Sequence, residues 1–292
     1  MDLVYIVKES EQNEDLRYSL RSVAKFLPNN KVWIVGYKPS WVQNVGYIPV
    51  QQNCGSKWKN SIKNIEAACN CDEISEDFVL MNDDFFAIKP IEDLEKSVEI
   101  CLGPLDKSIQ KHQLSVGTWH KAFKHVNDLL NSIGVKKPYY DYESHTPLKI
   151  NRYKMLEVLN LPQVKKFEKS GKVLHKRTLY KNYCQDKCRV IKSDVKLTSL
   201  RDDTKTKMQV CDWLSVFDNQ VGSPSFKDLN NLLHKLFPEP CQYEDPNAKP
   251  IHTSNVYRTN ILVTARSVKI EQEKLDRQNR VKKPRFGAKR IK

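Results

Sequence analysis

Long apolar runs are missing from this chain of 292 residues. None approaches the roughly 18 consecutive apolar residues that a membrane-spanning helix needs, so no transmembrane segment is expected. The start, Met1-Asp2-Leu3-Val4-Tyr5, lacks the basic-then-apolar order of a secretory signal, and the expected location is cytoplasmic. Repeated close cysteine pairs are lacking too. The eight cysteines stand at 54, 69, 71, 101, 184, 188, 211 and 241. Cys184 and Cys188 have Cys211 and His175 as the nearest further ligands in sequence, whereas structural zinc sites use tighter pairs that recur. The cysteines are therefore expected to be reduced thiols rather than a disulfide framework. No internal repeat is visible.

Acidic charge is also in short supply. Lys and Arg number 49 against 35 Asp and Glu, for a net charge of +14. The excess is uneven, because residues 266–292 carry eleven basic side chains and three acidic ones. A like-charged tail ending Lys282-Lys283-Pro284-Arg285-Phe286-Gly287-Ala288-Lys289-Arg290 is expected to be flexible. It points to a polyanion, either nucleic acid or an anionic surface, or serves only to solvate the chain.

What is present is a strand–helix alternation at the front. Leu3–Val7 reads as a buried strand, and Leu16, Leu20, Val23 and Leu27 make a helical stripe after Ser10–Asn13. Val32–Val35 is a second strand, and Tyr47-Ile48-Pro49-Val50 a short edge strand because of its proline. A helix over 59–69 carries Ile62, Ile65 and Ala68, and a strand over 78–81 follows. This order predicts a parallel or mixed sheet with helices on its faces. Residues 91–176 show mostly helical signals, at 94–100, 118–133 and 152–159, interrupted by an aromatic and acidic loop at 139–147. An amphipathic helix spans 226–236. The expected organisation is one α/β domain over 1–263, with a core at 1–90, a helical insertion at 91–176 and completion of the core at 177–263. A basic tail over 264–292 follows.

The segment richest in chemistry is Phe78-Val79-Leu80-Met81-Asn82-Asp83-Asp84-Phe85-Phe86. An apolar strand runs straight into an amide and two adjacent carboxylates. Acids at such a strand end stand where open α/β sheets bind ligands. Neighbouring carboxylates repel unless a cation or proton relieves them, and a divalent metal bridging phosphate oxygens does so. An Asn-Asp turn with no further role is the other reading.

Five blocks in order carry a resemblance. They begin with Asn13-Glu14-Asp15-Leu16-Arg17-Tyr18-Ser19-Leu20-Arg21 and Trp33-Ile34-Val35 with Pro39-Ser40-Trp41. Asn60-Ser61 with Ile65-Glu66, then 78–86, and then His145-Thr146-Pro147 follow. With Val216-Phe217-Asp218-Asn219, Phe237-Pro238-Glu239-Pro240 and Tyr243-Glu244, the chain resembles the Stealth family of sugar-phosphate transferases, which includes the GlcNAc-1-phosphotransferase catalytic subunit. The likeness covers roughly 2–244, strongly over the first 90 residues. The chain departs from the family in its abbreviated first region and in the reversed Asp218-Asn219, as in a minimal, divergent member.

The resemblance implies a Rossmann-like, glycosyltransferase-A-type mixed sheet and a UDP-sugar donor with Mg²⁺ or Mn²⁺. It assigns Asp83 and Asp84 to the metal, and Asp2, Arg17, Arg21, Asn82 and Arg177 to the donor. Glu66, Asp84 and His145 would serve the acceptor hydroxyl. Locally, Arg17 and Arg21 read equally as ion-pair partners of Glu14 and Asp15. The acceptor would be a glycan, a cell-surface polymer or a polyanion such as modified DNA. The competing expectation is a metal-dependent nuclease or nucleic-acid-binding protein, with Asp83, Asp84 and Glu66 as its metal cluster.

Overall fold

A computed structural model of the chain describes residues 1–198, 200, 203–216 and 224–247. The expected basic tail at 264–292, its boundary at 263, and Phe217-Asp218-Asn219 lie outside the described residues. No helix among the described residues is long and apolar enough to cross a membrane.

The chain opens with β1 (Asp2–Val7), α1 (Glu14–Phe26), β2 (Val32–Gly36), β3 (Gly46–Pro49), α2 (Lys57–Cys69) and β4 (Asp77–Met81). These are the elements expected from the sequence. Asn13 caps α1 by accepting the Leu16 N–H at 3.0 Å, and Ser56 caps α2. A short β5 (Phe85–Ala87) follows, then α3 (Leu94–Val98), β6 (Ile100–Cys101), α4 (Leu105–Lys111), α5 (Thr118–Ser132) and β7 (Leu148–Asn151). The remainder is α6 (Arg152–Asn160), α7 (Pro162–Lys169), α8 (Lys176–Cys184), β8 (Arg189–Val190), β9 (Lys196–Leu197), α9 (Asp203–Val210), β10 (Trp213–Val216) and α10 (Pro224–Leu236).

Five strands form the central sheet in the order β3-β2-β1-β4-β7. The first four run parallel, and β7 pairs antiparallel with β4. The sheet is mixed, and β3 holds its edge as its proline requires. Alternation along the strands sorts side chains to two faces. Val4, Val35, Phe78 and Leu80 pack with α2, α5, α6 and α8. Leu3, Tyr5, Ile34, Val79 and Met81 pack with the Leu16, Leu20 and Val23 stripe of α1. A second sheet, β5-β10-β9, lies on the α1 side and shares Phe85 and Trp213 with that core.

Three expectations change. The region 91–176, expected to be a mostly helical insertion, also contributes to the core, because Leu148–Asn151 supplies the fifth strand of the central sheet. The helix expected over 94–100 stops at Val98, and Ile100–Cys101 pairs with Arg189–Val190. The cysteines are also not all reduced: Cys101 and Cys188 form a disulfide, which fastens β6 to the start of β8, and the other six are free thiols. The 87-residue separation of the pair hides it from any spacing rule.

Candidate active site

The strand order reverses direction between β1 and β4. Parallel strands diverge there, so a crevice opens at their carboxyl ends, the usual ligand position in open α/β sheets. Asn82, Asp83 and Asp84 form the turn leaving β4 into this crevice, and the Phe85 N–H donates to the Asn82 carbonyl at 3.3 Å. What fixes the turn is its exit strand. Ser19 and Ser22 are fully buried on α1, small enough to admit β5 against the helix. Ser19 Oγ donates to the Phe85 carbonyl, and Ser22 Oγ accepts the Ala87 N–H at 3.0 Å. The Tyr5 hydroxyl meets Ser19 Oγ at 2.9 Å, which ties β1, α1 and β5 together beneath the acid pair.

The two acids have different neighbours. Asp83 Oδ2 accepts from Asn13 Nδ2 at 2.8 Å, so the loop after β1 is bonded to the loop after β4 across the crevice. Asp84 Oδ2 accepts from Lys196 Nζ at 2.8 Å and from Ser215 Oγ at 3.0 Å. Register explains that convergence: Ser215 of β10 lies opposite Phe85 of β5, and Lys196 of β9 lies opposite Ser215. Three short strands thus line up Asp84, Ser215 and Lys196.

A second group comes from the start of β7 and the start of α8. His145 adopts a left-handed backbone with φ 49°, a conformation uncommon outside glycine and frequent at functional sites. Its Nδ1 meets Asp194 Oδ2 at 2.6 Å. Burial pushes the Asp194 carboxyl up, but the hydrogen bond and charge of His145, with the Lys196 backbone N–H and ammonium, together outweigh this and hold it below the usual range. Arg177 is buried, its Nε donating to the Tyr142 carbonyl at 3.1 Å and its terminal nitrogen to the Thr146 carbonyl. Burial bears down on its guanidinium, and Glu143, Asp84, Asp194 and Asp141 counter that penalty. The centre therefore brings three carboxylates, Asp83, Asp84 and Asp194, together with Lys196, Arg177 and His145.

At the same carboxyl edge of the sheet, at the ends of β2 and β3, lies an open cleft of about 490 Å³ lined by Glu9, Gly36, Tyr37, Tyr47 and Gln52, among others. Gly36 makes its turn possible. It sits at φ +111°, and a Cβ there would come within 2.4 Å of the Val7 carbonyl oxygen.

Several sequence-predicted site residues stand elsewhere. Asp2 begins β1, so it lies at the amino edge of the parallel sheet, where its Oδ2 accepts from Trp33 Nε1 at 3.0 Å and the Ser75 N–H at 3.1 Å. Glu66 is one turn from the end of α2 and accepts from Lys165 Nζ at 2.9 Å. Helix α2 returns toward the amino end of β4, so Glu66 points to α7, and among the described residues it does not join Asp83 and Asp84 in a three-acid cluster. Arg17 and Arg21 are buried against Glu244: Arg17 Nη1 donates at 2.7 Å, and Arg21 donates through Nε at 2.7 Å and Nη2 at 2.9 Å. Arg17 also contacts Glu14 at 3.2 Å and covers the Trp41 ring at 4.1 Å. Both guanidiniums are committed to holding the 237–244 segment onto α1. Lys196, Ser215 and Asp194 were not singled out by the sequence, since each reaches the site only through long-range pairing.

The reading of a nucleotide-sugar site implies a divalent cation. Among the described residues, no group of three or more His, Cys, Asp and Glu could enclose a metal by itself. Mg²⁺, however, is commonly held by one or two carboxylates plus substrate phosphate oxygens, and the adjacent Asp83 and Asp84 fit that donor set.

No family model matches the chain, and no curated protein matches its sequence. Solved structures do match its shape. The galactosyltransferase LgtC, crystallised with donor and acceptor sugar analogues, is similar with a TM-score of 0.51 at 11% identity, covering 87% of this chain and 99% of LgtC. The fold is glycosyltransferase-A-like. An active-site mutant of LgtC gives a TM-score of 0.49 at 10% identity, covering 83% of this chain and 98% of its own. Mouse xyloside xylosyltransferase 1 gives 0.39 at 12%, covering 75% and 97%. At this identity the likeness concerns the fold alone.

Proposed function

We propose that the chain is a nucleotide-sugar-dependent transferase and a divergent, Stealth-like one. It would move a sugar or a sugar-1-phosphate from a UDP-sugar to a hydroxyl on a glycan or on a polyanion such as modified DNA. On this reading residues 1–263 form one transferase domain and 264–292 a basic appendage. The observation that carries it is the Asp83-Asp84 turn at the β1/β4 crevice, bonded to Asn13 on one side and to Lys196 and Ser215 on the other.

Asp83 and Asp84 would hold Mg²⁺ or Mn²⁺, which when bound supplies positive charge to a departing phosphate. Lys196 and Arg177 add fixed positive charge to the same place. The open cleft by Gly36 and Tyr37 would take the nucleoside. Asn82 would present the turn to the donor. For the acceptor, His145 is the better base than Glu66, because an Nδ1–H donated to Asp194 leaves Nε2 able to accept a hydroxyl proton. Asp84 is the alternative base.

The test is release of nucleotide from labelled UDP-sugars with Mg²⁺ or Mn²⁺. Cleavage between the sugar C1 and its oxygen releases UDP, and cleavage of the pyrophosphate releases UMP, so the product distinguishes the two transfers. No nucleotide release with any donor, together with metal-dependent cutting of DNA, would sink the reading.

A further inference from the structure

We propose that the loop over 112–117, joining α4 to α5, is a docking tip for an anionic lipid bilayer surface. Leu114 and Val116 are 90% and 86% exposed, and no other large apolar side chain among the described residues exceeds 57%. Two such residues on one short loop are unlike the scattered apolar surface normal to soluble proteins.

The loop is well held at its base. The Ser115 N–H donates to the His112 carbonyl at 2.9 Å, and the Lys121 N–H to the Gly117 carbonyl at 3.1 Å. The His112 ring lies parallel to Phe123 at 5.4 Å and 4.5 Å from His120. The apolar pair is therefore exposed by a formed turn. Its surroundings are basic: from residue 105 to 124 the chain carries four lysines and a single acid, Asp106. Lys107, Lys111, Lys121 and Lys124 are all exposed on the two flanking helices. Apolar side chains ringed by lysines suit the headgroup region of an anionic bilayer, where the lysines meet phosphate and the apolar groups enter the acyl boundary.

Other occupants fit less well. A nucleic acid would use the lysines and leave Leu114 and Val116 in water. A second copy docking by the same loop would bring like charges together across the symmetry axis. The tip also adjoins the candidate site, because Trp119, in the first turn of α5, stacks over His145 at 6.4 Å with its plane tilted by 23°. A bilayer bound here would display an acceptor to that site, although bilayer binding itself does not depend on the transfer reaction.

The test uses the full chain and sedimentation with phosphatidylglycerol-containing or pure phosphatidylcholine vesicles. Binding is expected to the anionic vesicles. Leu114→Ser with Val116→Ser keeps the charge and should weaken partitioning at least roughly tenfold. Lys111→Glu with Lys121→Glu should weaken it by a similar factor. Leu114→Trp should add a fluorophore that brominated acyl chains quench, a readout no basic segment elsewhere can mimic. Unchanged partitioning of the double serine variant, or no added quenching in Leu114→Trp, would overturn the proposal. So would loss of DNA binding in the lysine variant with vesicle binding intact in the serine variant.

Discussion

The two edges of the central sheet use the same residue types to opposite ends. At the amino edge, Asp2 is consumed by the indole of Trp33 and the backbone of Ser75, and Glu66 by Lys165. At the carboxyl edge, Asp83 and Asp84 leave β4 as neighbours and are balanced from both sides by Asn13, Lys196 and Ser215. A third pattern lies along α1, where Arg17 and Arg21 neutralise one buried Glu244. Position relative to strand direction, rather than residue type, separates a candidate reacting group from a structural one.

That contrast can be broken in order of expected effect. Asp84→Asn removes one charge at the carboxyl edge. It should lower turnover roughly a hundredfold to a thousandfold while the protein still folds and unfolds cooperatively, as read by nucleotide release and calorimetry. Glu244→Gln takes the shared buried counter-ion from two guanidiniums, leaving Arg17 only Glu14. It should cost about 3–5 kcal/mol of stability by denaturant titration, and turnover of the remaining folded protein should persist. Asp2→Ala should cost about 1–2 kcal/mol through the two lost hydrogen bonds and leave donor KM as it was. Glu66→Gln removes a half-exposed ion pair, so its stability effect should stay under about 1 kcal/mol with turnover unaltered.

A pH series sharpens the role of Glu244. Burial raises its carboxyl, but the hydrogen bonds and charge of Arg21 and Arg17 more than offset this and hold it below the ordinary value. The unfolded chain therefore takes up this proton first as pH falls. The stabilisation is fully present above the unfolded value of about 4.3 and is lost as pH drops through the lowered folded value. Glu244→Gln should flatten that part of the acid limb. An unchanged limb would assign acid unfolding to other carboxylates.

Much of the front of the molecule was legible because its signals are local. Leu16, Leu20 and Val23 repeat at helical spacing and all are buried, and Phe78–Met81 reads as a strand and is one. The acid pair was visible for the same reason, as a polar break after an apolar run. The rest of the site was not, because Lys196 reaches Asp84 across 112 residues and Ser215 across 131, through strands of two and four residues. Asp2 was assigned to the donor only through the resemblance, and as the first residue of a parallel strand it stands at the edge opposite the crevice. Arg17 and Arg21 had neighbouring acids in sequence, yet their strongest partner is more than two hundred residues away. The disulfide was missed on the same ground, as a long-range pairing; β7 does alternate, with Leu148 and Ile150 buried between Lys149 and Asn151, but four residues are too short a run to stand out among helical signals.

The account rests on the Asp83-Asp84 turn being the place where a nucleotide diphosphate and its cation are held. Calorimetric titration of UDP with Mg²⁺ or Mn²⁺ tests this most directly. Metal-dependent binding is expected in the native chain, in Asp2→Asn and in Glu66→Gln, and should be lost in Asp83→Asn and Asp84→Asn. Equal UDP binding by Asp84→Asn, or no UDP binding by the native chain, would contradict it.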